Sequence, residues 1–249
     1  PGVVAGRAEL ALDVLSSASG REEEIRDFLE KRGVSVRPAD NDLTFFIRVT
    51  VGAGSSRAKA VIEGFHTNLV LIEEDGRELF RSGAKSNPCC VADRSMLTVE
   101  KIVEFADVAD LDEIREILER QIAFNSAISE EGLKGDWGAN VGKVILKTFG
   151  DSPESRLKAV AAAEARAYAA AASDARRSGC ELPVVIVTGS GNQGITASVP
   201  VVEYARQKAA DRERLLRALI VADLTTIHQK TGIGRLSAYC GAVSAGCGA

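Results

Sequence analysis

The sequence predicts an α+β protein, in which a small strand-rich part is followed by a mostly all-α part. Before about residue 90, branched and aromatic residues alternate with the two-residue period of strands, and tight-turn signals separate the runs. Beyond that point, apolar residues recur at steps of three and four, which is typical of helices that face a core. We therefore expect an α+β part with largely antiparallel strands over residues 1-90 and a helical domain over residues 91-249.

The first part contains one predicted helix and three predicted strands. An amphipathic pattern at Glu22–Lys31 predicts the helix. Further strands are predicted at Arg57–Gly64 and Asn68–Glu74, and Asp75-Gly76 has the composition of a hairpin turn. The first strand has one apolar face, which consists of Phe45, Ile47, Val49 and Val51.

The second part is predicted to be helical throughout. Glu154–Arg177 is dense in alanine, whose small side chain lets helices approach closely, and Arg212–Gln229 and Gly234–Ala249 continue the helical pattern. One apolar stripe is expected to face the core and consists of Ile114, Ile117, Leu118, Ile122 and Phe124.

Composition restricts the function classes. The 249 residues are 45% hydrophobic and 27% charged, with a formal net charge of -4. No apolar run approaches the roughly 20 residues of a membrane span, so we expect no membrane partner. A mildly acidic chain has no general attraction to nucleic acid, so none is expected as a partner.

The five cysteines do not form a disulfide or zinc pattern. They are odd in number and irregularly spaced, which suits a reducing, cytoplasmic environment. With only His66 and His228 as histidines, the sequence contains no common zinc motif. The cysteines are Cys89, Cys90, Cys180, Cys240 and Cys247.

The segment Gly189-Ser-Gly-Asn-Gln-Gly194 matches the glycine pattern of dinucleotide-binding folds. It follows the apolar run Leu182–Val187, which could be the first strand of such a fold. The acidic ribose ligand should lie about 20 residues further on, but the best candidate, Asp223 at the end of Ala218–Asp223, is more distant. Pro200 also interrupts the expected helix. A dinucleotide-binding oxidoreductase is therefore kept as the second alternative function.

The same loop has the composition of a small-anion site. Its glycines expose backbone N–H groups, and a helix that starts beyond Gly194 would add the positive end of its dipole. Ser190, Asn192 and Gln193 add side-chain donors. This combination favours a small carboxylate ligand. The alternative is a tight turn whose polar side chains bind no ligand.

Several recognisable motifs occur in order along the chain. One of them contains a cysteine at a helix start, and another is a His-Thr-Asn turn. The segments are Gly64–Asn68, Asn125–Leu133, Trp137-Gly138, Ala172–Arg176, Gly189–Thr196, Pro200–Val202 and Gly234–Gly241. Together they resemble the serine dehydratase alpha-domain family, in particular its L-cysteine desulfidase / UPF0597-type branch.

The resemblance implies a lyase that converts L-serine or L-cysteine to pyruvate and ammonia with release of water or sulfide. The family uses a 4Fe-4S cluster held by three cysteines, with one iron open to substrate. By this resemblance Cys240 is a cluster ligand. The carboxylate-binding residues are then Ser190, Gly191, Asn192, Gln193 and Gly194, and His66 (catalytic), Thr67 and Asn68 line the same cleft.

The sequence also departs from the family pattern. An early Gly-Cys-Thr-Glu-Pro segment and a late Cys-Asp-Gly segment do not occur here, so we expect an internal piece of a longer enzyme, whose other cluster ligands lie elsewhere. The first alternative is a regulatory relative that binds an amino acid without turnover. We expect Cys180 and Cys247 to be buried, His228 to cap a helix end and Lys230 to be solvated. Asn125 lies near the apolar stripe, so we expect a buried amide with hydrogen bonds there.

Three questions stay open at this stage. The sequence does not identify the base that removes the α-proton, nor does it distinguish serine from cysteine as the preferred substrate. It also leaves the oligomeric state open, with a homodimer among the alternatives.

Overall fold

The computed structural model describes residues 1–18, 20–43, 45–64, 68–82, 93–149, 159–233 and 239–249. The chain divides into two compact units, Pro1–Asp93 and Arg94–Ala249. The first contains the strands and the second is helical, which confirms the α+β prediction. None of the described helices is long and apolar enough to cross a membrane.

The first unit contains a four-stranded antiparallel meander in the order β1-β2-β3-β4. Three helical segments precede it, and the predicted helix at Glu22–Lys31 is confirmed with one further residue. The elements are α1 (Gly2–Ala5), a 3-10 helix (Ala8–Ala18), α2 (Glu22–Arg32), β1 (Phe46–Ala53), β2 (Ser56–Glu63), β3 (Leu69–Glu74) and β4 (Arg77–Arg81).

The predicted hairpin turn joins β3 to β4. Asp75 and Gly76 have φ angles of 48° and 83°, the left-handed values that such a two-residue turn requires. The Asp75 carboxylate also accepts a hydrogen bond from the Arg57 backbone N–H at 2.6 Å, which ties the turn to β2. On β1, Val49 lies opposite Ala60 and is 54% exposed, so the apolar face of this strand is open.

The second unit contains seven described helices. Three of them have side-chain caps at their starts: Thr98 accepts from the Lys101 N–H, Asp110 from the Asp112 N–H at 3.0 Å, and Asp211 from the Arg214 N–H at 2.8 Å. The helices are α3 (Val99–Val108), α4 (Leu111–Lys134), α5 (Val141–Phe149), α6 (Ala159–Arg177), α7 (Gly191–Gln207), α8 (Arg212–Ile233) and α9 (Gly241–Ala245).

The alanine-rich α6 forms close helix contacts, as its composition predicts. A Cβ atom built at Gly132 of α4 would overlap the Ala171 carbonyl oxygen, and one at Gly142 of α5 would overlap the Ala167 carbonyl oxygen. Both neighbouring helices therefore pack backbone to backbone against α6.

The predicted apolar stripe of α4 is only partly correct. Leu118 and Ile122 are buried as predicted, but Ile117 is 65% exposed. The buried face instead continues through the polar residues Gln121 and Asn125. The spacing of apolar residues misplaced the stripe, because amide side chains that form hydrogen bonds can be buried on the core-facing side of a helix just as aliphatic side chains are.

The dinucleotide-binding alternative is wrong. The residues 182–187, which would form its first strand, carry no strand in the structure, and residues 218–223 lie within α8. All strand pairs among the described residues are antiparallel and lie in the first unit. The glycine loop therefore lies between a non-strand segment and a helix of an all-α unit.

Candidate functional site

The glycine loop opens α7. Gly189 has φ = 112°, a value that favours glycine, and Ser190 is the N-cap residue in an extended conformation. The helix begins at Gly191, earlier than the predicted start beyond Gly194. Asn192 and Gln193 therefore lie in its first turn, where backbone N–H groups have no partner inside the helix.

Two of the loop glycines are required by packing. A Cβ atom at Gly194 would overlap the Val185 carbonyl oxygen and lie 2.9 Å from Ile186 Cα. A Cβ atom at Gly191 would overlap Arg176 Nε and lie 2.7 Å from Arg176 Cζ. The glycines thus bring the segment before the loop and the end of α6 against the first turn of α7.

Asn192 is held by an arginine at the end of α6. Its side chain is 7% exposed, and Oδ1 accepts a hydrogen bond from Arg176 Nη1 at 3.0 Å. Because Oδ1 is the acceptor in this contact, the amide is oriented, and Nδ2 is the end of the side chain that remains for an incoming acceptor.

Gln193 connects the loop to α9. Its side chain is fully buried, and Oε1 accepts from the Thr188 N–H at 2.9 Å and from Thr188 Oγ1 at 2.8 Å. Nε2 donates to Ser244 Oγ of α9 at 3.4 Å. The protein itself therefore uses this amide to shape the loop.

Cys240 lies beside this loop. It is the N-cap residue of α9 and its side chain is exposed. A Cβ atom at the adjacent Gly241 would lie 3.1 Å from Gln193 Cβ, so the start of α9 packs directly on the first turn of α7. The structure thus brings together the candidate metal ligand and the candidate carboxylate loop.

The other described cysteines differ in their exposure. Cys180, predicted to be buried, is half-buried and packs against the apolar core that contains Ile128 and Ile195, so the prediction is only partly correct. The prediction for Cys247 is wrong, because this residue is exposed after the short α9 helix ends. Cys89 and Cys90 lie outside the described residues. Within the described ranges, no three metal-binding side chains converge.

The candidate residues of the first unit are only partly described. His66 and Thr67 lie outside the described residues. Asn68 donates from Nδ2 to the Glu63 carbonyl oxygen at 2.7 Å, across the connection between β2 and β3. The Asn68 amide therefore holds this connection together.

Two α8 residues differ from their predicted environments, and a third has a shifted pKa. Lys230, expected to be solvated, is 6% exposed. His228 lies five residues before the end of α8 and not at its terminus. Burial raises the pKa of Asp223 to about 6, although the hydrogen bond from Gln121 Nε2 opposes this rise. No sequence pattern indicates these environments, since α8 lacks a clear polar face.

Arg176 is the loop contact that motif reading did not select as a site residue. It is 16 positions from Asn192 and belongs to another helix, so no local spacing links the two. Its only signal was its place at the end of the motif Ala172–Arg176.

A family model described as "Serine dehydratase alpha chain" matches residues 13–249. The chain is 45% identical over 249 residues to a UPF0597 protein of Desulfitobacterium hafniense, across 99% of this chain and 56% of the relative. A UPF0597 protein of Lachnoclostridium phytofermentans is 41% identical over 251 residues, across 100% and 58%. One of Fusobacterium nucleatum is 38% identical over 255 residues, across 99% and 58%.

The chain therefore spans somewhat more than half the length of these curated relatives. No solved structure matches it. The match to the family model covers nearly the whole chain, and the motifs that meet in space at the start of α7 are those on which the resemblance depends. The chain belongs to the serine dehydratase alpha chain family.

Proposed function

We propose that this chain forms part of an iron–sulfur-dependent lyase that acts on L-serine or L-cysteine. The reaction removes the α-proton and the β-hydroxyl or β-thiol, which leaves as water or sulfide. The resulting enamine tautomerises to the imine, and its hydrolysis consumes one water and gives pyruvate and ammonia. The observation that carries this proposal is the packing of Gly241, next to the exposed Cys240, against Gln193 in the first turn of α7.

The first turn of α7 would bind the substrate carboxylate. The N–H groups of Gly191 and Asn192 lie at the positive end of a 17-residue helix, and no acidic residue occupies its first turn. Asn192 Nδ2 adds a side-chain donor, and the Ser190 hydroxyl does not cap the helix. These donors favour a small anion because a carboxylate can accept from several of them at once.

A 4Fe-4S cluster would supply a Lewis-acidic iron for departure of the β-substituent. Cys240 suits a ligand role, since its thiol is exposed beside the loop. The described residues do not by themselves form a whole cluster site, because Cys180 packs against the apolar core and no three metal-binding side chains converge among them. The remaining ligands would come from elsewhere in the full protein.

Two substitutions in the full protein encoded by the reading frame test this assignment. Cys240→Ser should remove iron and activity together, because it deletes one of three thiolates. Asn192→Ala should keep the iron but lower kcat/KM by roughly ten- to a hundred-fold through loss of a hydrogen bond to a charged group. Full iron content and turnover in Cys240→Ser would show that the ligand assignment is wrong. An unchanged kcat/KM in Asn192→Ala would show that the loop is only a turn and does not bind the substrate carboxylate.

A second candidate function is binding of an amino acid without turnover. It is favoured because no three metal-binding side chains converge within the described ranges, which include the exposed Cys240 beside the loop. Calorimetry with L-serine and L-cysteine, run beside a pyruvate assay on anaerobically prepared full protein, separates the two. Binding without pyruvate would support this second candidate.

A further inference from the structure

Arg176 makes two contacts with the first turn of α7. Its Nη1 donates to Asn192 Oδ1 at 3.0 Å. Its Nε and Cζ lie so close to Gly191 that a Cβ atom there could not be accommodated without moving the guanidinium group. Arg176 as a whole is nevertheless exposed, so further N–H groups of its planar fork are open to a ligand.

This arrangement concentrates positive charge. The start of α7 carries the positive end of the helix dipole, and no acidic residue lies in its first turn. No carboxylate in the described part of the chain forms an ion pair with Arg176, whose one side-chain hydrogen bond there goes to a neutral amide. A cation held against a helix N-terminus is electrostatically unfavourable by itself. An anion bound between the guanidinium group and the helix N-terminus would make the interaction energy favourable.

A purely structural explanation also exists for Arg176. It lies in the last turn of α6, where a cation is favourable because it meets the negative end of that helix dipole. Arg177 has the same advantage, since it is also exposed and lies in the same turn. It projects about 100° away around the helix axis. The dipole of α6 therefore does not account for contact with Gly191 and Asn192, and Arg177 provides a matched comparison.

We propose that Arg176 is the specificity-determining residue for the substrate carboxylate. The guanidinium group orients Asn192 through Oδ1 and presents its remaining N–H groups beside the N–H groups of Gly191 and Asn192. An amino acid with a free α-carboxylate is then selected over its neutral amide, because only the charged group compensates the positive charge. This inference rests on the proposed function, since it assigns the ligand chemistry of the same loop.

The test compares two ligands that differ in this one group. Dissociation constants for L-serine and L-serinamide are measured by calorimetry on the anaerobically prepared full protein. The variants are Arg176→Gln, Arg176→Lys and the control Arg177→Gln, each checked for folding by circular dichroism. Arg176→Gln should weaken L-serine binding roughly ten- to a hundred-fold and leave L-serinamide unchanged. Arg176→Lys should recover part of this loss because it restores the charge without the fork.

Each outcome decides a different point. The inference is supported if the wild-type protein prefers serine over serinamide and this preference disappears only in Arg176→Gln. If Arg176→Gln keeps the wild-type preference, or Arg177→Gln loses it equally, the role of Arg176 is overturned and the proposed function stands. If the wild-type protein binds neither L-serine nor L-cysteine, the proposed function fails, and this inference fails with it.

Discussion

The side chain of Asn125 pairs with the backbone of Val185 in both directions. Its Oδ1 accepts from the Val185 N–H at 2.8 Å, and its Nδ2 donates to the Val185 carbonyl oxygen at 3.2 Å. Nδ2 also approaches Ser198 Oγ at 2.9 Å. The Asn125 amide on α4 thereby pairs with the backbone N–H and carbonyl groups of a segment that has no strand partner. This segment leads directly into the glycine loop.

We expect Asn125→Ala to destabilise the protein strongly. The substitution leaves the N–H and carbonyl groups of Val185 without their partner, and each buried unsatisfied group costs roughly 1–3 kcal/mol. Chemical denaturation should show a loss of roughly 2–5 kcal/mol in the free energy of unfolding.

Ile117→Ala, at a 65% exposed position on the same helix, is the control. It should change the free energy of unfolding by less than about 0.5 kcal/mol. Equal effects of the two substitutions would show that the Asn125–Val185 pairing contributes nothing specific.

The sequence could identify the polar role of Asn125 but not its partner. Its position near the apolar stripe of α4 indicated a buried amide with hydrogen bonds, and the structure agrees. Val185, however, is 60 residues away. A helical period constrains which face of α4 is buried, but it carries no information on which distant backbone meets that face.

The same distinction holds for the candidate site. The loop Gly189–Gly194 and the cysteine-bearing start of α9 were recognisable as local motifs. Their contact through Gln193 and Ser244, 51 residues apart, depends on tertiary packing. Local signals also failed for Cys247 and Lys230, because exposure is set by what packs over a residue and not by its type alone.

Gly194→Ala and Gly232→Ala should have opposite effects. Alanine normally stabilises a helix relative to glycine by up to about 1 kcal/mol. At Gly232 of α8 a Cβ atom meets nothing within 4 Å, so this gain should be retained. At Gly194 of α7 it overlaps the Val185 carbonyl oxygen, and the strain should cost about 1–3 kcal/mol instead. Thermal unfolding measures both, and a stabilised Gly194→Ala variant would contradict the close approach at this residue.

The 249-residue chain alone should not retain a stoichiometric 4Fe-4S cluster. Cys240 is exposed beside the loop, but Cys180 packs in the core, and no three metal-binding side chains converge within the described ranges. Anaerobic reconstitution followed by iron and sulfide analysis should give well under one cluster per chain, with the full protein as the positive control. A complete cluster on the short chain would mean that its ligands include residues not assigned here.

Asp223→Asn should stabilise the protein at neutral pH. Burial raises the pKa of Asp223 from 3.8 to about 6, so the native state binds a proton that the unfolded state releases between these two values. The contribution of Asp223 to stability is therefore greatest below about pH 4, decreases as the pH rises to about 6, and is constant above that.

The variant removes this pH-dependent loss. Its amide can accept from Gln121 Nε2 as Asp223 does at 3.0 Å. It can also donate to Gln121 Oε1, which has no hydrogen-bond partner among the described residues. From the pKa shift, the gain at pH 7 is at most roughly 3 kcal/mol, and it should vanish toward pH 4. Urea denaturation of both proteins at several pH values measures this difference. A difference that is constant with pH would show that the Asp223 carboxyl titrates alike in the folded and unfolded states.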